Sequence, residues 1–481
     1  MSATYASPAK AAPATKPASR RDTRLDVLRA LALLMIFVDH VPGQPLEHWT
    51  MKNFGFSDAS ELFVLISGIA VALAYGRKYD LTNLASLSVK AWRRVVTLFF
   101  AHMAGTLLTL GIFVGAAWLF LRPDLMTQVA IGPVMDAPLK GLIALSTLGH
   151  QLGYNNILPM YMVLMAMAPA MIWLERRNPA MLIAVSALIW ALAGTWRIGP
   201  PRTLEPGIWF FNPLSWQFLF VIGYVGARHI ARGGRIGGSP GLLAASVTFV
   251  LFSALWTMMG LGAQSSLSLG LPFVLTGFDK TYLTGWRLAH MMALAYIFLS
   301  VPFLSRITRL DHESPLSVIG RHGLAIFLIG TVLAVLAQAI MAVIGAWPET
   351  GLLLIANGVF IQIISAYWLD LRDANRKKAK SGKQPATPAT ALRPATASTA
   401  GERSRQSPDG APRAAIRQYC AQGSRYPFAF QARCPPEPRS RGEDAAGARP
   451  HLRQVQTCRH GSCRSRPCAS PFRKVSRFRF V

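Results

Sequence analysis

The chain has 481 residues, 52% of them hydrophobic and only 15% charged. Soluble domains of this size carry fewer and shorter apolar runs, so the composition implies a polytopic membrane protein. The formal charge of +28 would suit a nucleic-acid binder, but its distribution excludes one: residues 1–380 hold 31 Lys+Arg against 17 Asp+Glu, mostly in short loops between apolar runs, and residues 381–481 hold 19 against 5.

From the N-terminus, residues 1–23 are rich in Ala, Pro, Ser and Lys and contain no apolar stretch. No cleavable signal peptide is expected there, only a disordered cytoplasmic N-terminus, and the first apolar segment then serves as an uncleaved anchor. Ten apolar segments follow, at about 26–43, 58–76, 95–121, 157–175, 180–196, 214–231, 241–262, 286–305, 318–346 and 350–371. They predict an all-α, polytopic integral membrane protein of about ten transmembrane helices. With the N-terminus inside, the inner segments carry 23 basic residues and the outer segments seven. That bias places both termini in the cytoplasm. The stretch DAPLKGLIALSTLGH (136–150) reads as an amphipathic outer piece, and the longer loops 122–156, 197–213 and 263–285 also fall outside. A large polar substrate is therefore expected on the outer face.

The membrane domain is predicted over 24–372. Residues 373–481 form a basic tail expected to be disordered, with no assigned function. All five cysteines (Cys420, Cys434, Cys458, Cys463, Cys468) lie in that tail. The membrane part can thus use neither a thiolate nor a disulfide. Cys458, Cys463 and Cys468 near His460 lack a CxxC unit, and no metal site is expected.

Chemistry concentrates in RLDVLRALALLMIFVDH, Arg24–His40. Arg29 and His40 are eleven residues apart, so at 100° per residue they share one stripe of a helix, about 16 Å apart along its axis. Ionisable groups at membrane depth mark a pathway or a site by default. His40 can accept a proton near neutral pH, and Asp39, Asp58 and Glu61 gather at the same outer helix ends to orient it and stabilise its charged form. An interfacial histidine and an Asp26–Arg29 ion pair at i,i+3 are the plainer explanations of the same residues. Arg93 and Arg94, with Arg77 and Lys78, satisfy the positive-inside bias and can also clamp donor phosphates; Arg321 has the same two readings. Trp209, Trp216 and Trp286, with Arg287 and His290 nearby, suit an interfacial aromatic belt and equally a sugar-binding groove.

These blocks resemble the OpgC family of periplasmic-glucan succinyltransferases, within the wider membrane acyltransferase-3 set. The likeness covers about residues 20–372 and rests on Arg24, Asp26, Arg29, Asp39 and His40, then on FSDASELFVLISG (Phe56–Gly68), AWRRVVTLF (Ala91–Phe99), ILPMYMVLMAMAP (Ile157–Pro169), FNPLSWQFLFVIGYVGARH (Phe211–His229), TGWRLAHMMALAYIF (Thr284–Phe298) and IGRHGLAIFLIGTVLA (Ile319–Ala334). Thr97-Leu98 depart from the wider pattern, where many members carry proline after the basic pair. The resemblance implies a bacterial inner-membrane enzyme that moves a succinyl group from cytosolic succinyl-CoA to hydroxyls of a periplasmic glucan. It implies no cofactor besides that donor, and it maps the essential Arg-x10-His pair of the wider set onto Arg29 and His40. The expected roles are catalytic for His40, Arg29, Asp39, Glu61 and Asp58, donor-binding for Arg93, Arg94 and Arg321, and acceptor-binding for Trp209, Trp216, Trp286, Arg287 and His290. An O-acetyltransferase of another envelope polysaccharide, or a transporter that flips an acyl donor without chemistry, are the alternatives; no paired Gly/Pro interruptions betray the inverted repeats of a transporter.

Overall fold

The computed structural model describes residues 22–76, 81–261 and 270–381. The predicted N-terminal segment up to residue 21, the cysteines, and Arg77 and Lys78 lie outside the described residues. Among the described residues fifteen α-helices follow one another: α1 (Arg24–Asp39), α2 (Ala59–Tyr75), α3 (Leu84–Leu119), α4 (Gly132–Asp136), α5 (Pro138–Ser146), α6 (Ile157–Arg177), α7 (Pro179–Thr195), α8 (Pro213–Ala231), α9 (Pro240–Met258), α10 (Phe273–Thr276), α11 (Gly285–Ser300), α12 (Pro302–Ile307), α13 (Pro315–Arg321), α14 (Gly323–Ile344) and α15 (Pro348–Ser381). Among the described residues the single extended pairing is an isolated bridge between Pro201 and Ile208.

The ten apolar segments fall on helices, eight on a single helix and two on a consecutive pair each. Five of these, α3, α6, α9, α14 and α15, are long and apolar enough to cross a bilayer by themselves, and α2 and α7 are shorter apolar helices. The remaining three, α1, α8 and α11, are 16 to 19 residues long and carry charged side chains. The segment 286–305 is broken at Val301, where Pro302 starts α12, and 318–346 is broken at His322 between α13 and α14. Residues 136–150 fold as the end of α4 and the short helix α5, with Leu139, Leu142 and Ile143 exposed on one face and Gly141, Ala144 and Leu145 buried on the other. The tail expected from residue 373 begins instead as a continuation of α15, which runs to Ser381. ANRKKAK contains good helix formers, and its cations suit a helix C-terminus.

Helix starts are written in the sequence. Asn178, Asn212, Ser239 and Ser314 each precede a proline and cap α7, α8, α9 and α13 with the side-chain oxygen. Asp58 and Glu61 form a reciprocal capping box on α2: Asp58 accepts from the Ser60 amide at 2.8 Å, and its own amide donates to Glu61 at 2.9 Å.

Small residues set the packing, as expected where apolar burial gives little preference between protein and lipid. α2 and α8 cross at Gly68 and Gly223, where a Cβ on either would strike the carbonyl of Phe220 or Leu65. α13 meets α1 at Gly320, against the main chain of Asp26. The main core joins α1, α2, α3, α6, α8 and α14 around Trp216, Tyr224, Phe220, Leu98 and Met160. A second core, with Phe113, Leu125, Ile131, Leu152 and Val335, lies under the 122–156 loop.

Candidate active site

α1 and α14 run side by side and define the two ends of the site. At one end a Cβ on Gly323 would sit 2.8 Å from Arg29 Cδ; at the other, Gln338 Nε2 donates to the His40 carbonyl at 2.8 Å.

His40 terminates α1. Its Nδ1 hydrogen-bonds the Ile36 carbonyl. A carbonyl only accepts, so Nδ1 carries a proton, and in the neutral ring Nε2 then keeps the lone pair that a general base requires. The Tyr154 ring meets the imidazole edge-on, with centroids 3.8 Å apart. The carboxylates expected to orient His40 are engaged elsewhere. Asp39 accepts from Thr50 Oγ1 at 2.5 Å and pairs with Lys52 at 3.5 Å. Asp58 lies within electrostatic reach of the ring but bonds Lys280 at 2.6 Å and Arg287 at 3.1 Å. Glu61, whose side chain is fully buried, takes Arg287 Nε at 2.7 Å. Orientation of His40 thus comes from a main-chain carbonyl one turn back, because the last turn of a helix leaves such carbonyls unpaired.

Asp58, Glu61, Lys280 and Arg287 form one closed network that ties the start of α2 to α11. Arg287, expected on the acceptor side, is a member of this network. Lys280 is a residue that sequence reasoning counted only as a loop charge. Its ammonium also lies 5.3 Å from the Phe211 ring, and its carbonyl accepts from Trp216 Nε1 at 3.0 Å. Trp216 itself is wholly buried, so it offers no face to a sugar; it belongs to the core and supports Lys280. Trp209 is also buried. His290 is buried too, with Nδ1 2.7 Å from Ser57 Oγ, and its ring packs where Gly55 has no side chain. Trp286 is the one expected platform that is exposed, at 38%, and it stacks at 14° on Phe278.

At the other end, Arg29 donates to Asp26 at 3.2 Å and to the Gly320 carbonyl at 3.0 Å. Tyr161 of α6 lies within electrostatic reach of both Arg29 and Arg94 and close to Ser67, whose hydroxyl donates to the Phe63 carbonyl. Arg94 is half-buried on that side, while its neighbour Arg93 is exposed on another face of α3. Arg321 turns away: it donates to the His312 carbonyl at 2.5 Å and pairs with Asp370 of α15 at 3.3 Å. The structure therefore gathers Arg29, Arg94 and Tyr161, and it separates Arg93 and Arg321 from them. Tyr161 was not singled out by sequence, since a tyrosine inside an apolar helix carries no spacing signal.

Among the described residues, no group of three or more His, Cys, Asp and Glu side chains is arranged to hold a metal ion. Two ends thus differ in chemistry: a neutral imidazole beside a charge-balanced network, and a cationic group with a tyrosine. A family model described as OpgC protein matches residues 21–374 of the chain. No curated protein and no solved structure matches it.

Proposed function

The chain belongs to the OpgC family, and from that premise we propose that it is an inner-membrane acyltransferase that moves a succinyl group from cytosolic succinyl-CoA to hydroxyls of osmoregulated periplasmic glucans. The observation that carries the reading is the His40 ring, held with Nδ1 protonated and Nε2 free to accept, on the same helix stripe as Arg29. In this reading His40 Nε2 takes the proton of a glucose hydroxyl, and the oxygen bonds to the thioester carbonyl carbon. The carbon–sulfur bond breaks, and the proton passes from His40 to the departing CoA thiolate. Arg29 and Arg94 hold the anionic donor at the cytosolic end. The Asp58–Lys280–Arg287–Glu61 network keeps the start of α2 in register with α11, and the exposed Trp286 supplies the flat face on which a sugar ring can rest.

Glucans isolated from a strain deleted for this protein, with and without the gene restored, test the reading by mass spectrometry. Restoration is expected to add whole succinyl groups to the glucan. Added acetyl groups, or an unchanged glucan, would overturn it.

A further inference from the structure

Between the two ends, α3 presents a polar stripe that the mechanism above does not use. His102, Thr106 and Thr109 are spaced i, i+4, i+7, so they share one face of the helix, and each is about 1% exposed. Asn155 is buried against them, its amide donating to Thr109 Oγ1 at 3.0 Å. Both ring nitrogens of His102 and the hydroxyl of Thr106 have no hydrogen-bond partner. The Asn155 main chain lies close to the His102 ring without meeting hydrogen-bond geometry. Buried polar atoms are nearly always paired, so three unpaired ones on one face point to a ligand that supplies the partner.

The position of the stripe says which ligand. α14 serves as a ruler: Gly323 touches Arg29, Leu328 lies 3.0 Å from a Cβ built on Gly105, and Gln338 bonds His40. Gly105, one residue before Thr106, is therefore reached a third of the way from Arg29 to His40. At its other side, Asn155 follows Tyr154, whose ring rests on His40. The stripe therefore lies between the two groups to which the acyl-transfer reading assigns the donor and the acceptor. The stripe is uncharged and rich in donors, which suits a carbonyl oxygen and not a phosphate or a carboxylate. The stripe lies nearer Arg29 than His40, so its donors act on the carbonyl of the bound donor before the hydroxyl adds at His40, and each such hydrogen bond strengthens donor binding.

We propose that His102 and Thr106 form a hydrogen-bonding subsite for the thioester carbonyl oxygen of the acyl donor, between Arg29 and His40. The proposal rests on the acyl-transfer reading above. It involves hydrogen bonds only: the His102 N–H and the Thr106 O–H donate, and no proton leaves either residue.

The test compares wild type, His102→Phe, His102→Gln and Thr106→Val, purified and reconstituted in vesicles with succinyl-CoA and glucan. Rates, the KM values for succinyl-CoA and glucan, and melting temperatures are read together. His102→Phe is expected to raise the KM for succinyl-CoA by about tenfold, with the glucan KM unchanged and the melting temperature equal or higher. Thr106→Val should raise it in the same way to a smaller degree, and His102→Gln, which restores a donor, should recover part of the loss. Thr106→Val removes a single oxygen at nearly constant volume, so it keeps the test valid if His102→Phe does not fold. A wild-type KM for succinyl-CoA in both Thr106→Val and a folded His102 variant would overturn the subsite while leaving acyl transfer in place. Absence of transfer by wild type itself would overturn the acyl-transfer reading, and the subsite with it.

Discussion

The two ends of α1 treat charge in opposite ways. Around His40, Asp58 and Glu61 are matched by Lys280 and Arg287, and Lys52 is shared between Asp39 and Glu47, so the fixed charges pair with one another and the imidazole, bonded through Nδ1, is left to present Nε2. Around Arg29, Asp26 accepts from the guanidinium, and Arg29 and Arg94 both lie within reach of Tyr161. The balanced end suits proton transfer, in which the base must start neutral. The cationic end suits an anionic donor. Buried ion pairs cost desolvation that their mutual attraction recovers only with good geometry, and both ends meet that condition through bonds shared among several elements.

Breaking the balanced end at its base should have the largest effect. His40→Ala is expected to reduce acyl transfer by about 10²–10⁴-fold, with unchanged amounts of protein in the membrane fraction; the assay is glucan substitution per folded protein. At the cationic end, Arg29 donates to both Asp26 and the Gly320 carbonyl through Nη1, and Arg29→Lys keeps the charge but replaces the planar guanidinium by a flexible point charge. Its kcat/KM for succinyl-CoA should fall more than about tenfold, which corresponds to about 1.4 kcal/mol. Near-normal kinetics in that variant would mean that Arg29 is only an anchor for the helix.

The comparison sharpens in stability. Arg287→Met leaves Glu61 buried without its cation and should destabilise the fold by about 3–5 kcal/mol, the cost of breaking a buried pair. Arg321→Met, whose partner Asp370 is exposed at 40%, should cost no more than about 1 kcal/mol. Unfolding of the two variants in the same detergent decides the order; equal losses would show that the α2–α11 network is no stronger than the α13–α15 contact. The smallest effect is expected from a stop codon at position 382, just past α15, which should change neither insertion nor transfer. Loss of either on truncation would assign a role to the segment beyond it.

Much of the architecture was legible because it is local. Apolar runs marked the helices, and Asn-Pro and Ser-Pro pairs marked where four of them start. The Arg29–His40 stripe followed from helical periodicity, and the Asp58–Glu61 capping box was present in the same block that suggested a site. What was not legible depends on residues far apart in the chain. Lys280 reaches Asp58 across 222 positions, and nothing about a lysine in an outer loop announces that partner. Arg321 was grouped with the donor residues by its place at a helix end, yet its guanidinium is drawn to Asp370. Trp216 looked like a surface aromatic and is core, packed edge-on against Phe211 with its Nε1 taken up by the Lys280 carbonyl. The His102 stripe had a readable i, i+4, i+7 spacing, but three polar residues within a long apolar helix stand out only once their burial is known.

The central claim is that the donor enters at the Arg29 end and the acceptor is modified at the His40 end. Vesicles holding the protein in one orientation, with succinyl-CoA on one side and glucan on the other, test it most directly. Succinylated glucan is predicted when CoA faces the Arg29 end and glucan the His40 end, and none when both substrates are confined to the Arg29 side. Equal succinylation with both substrates on that one side would contradict the account.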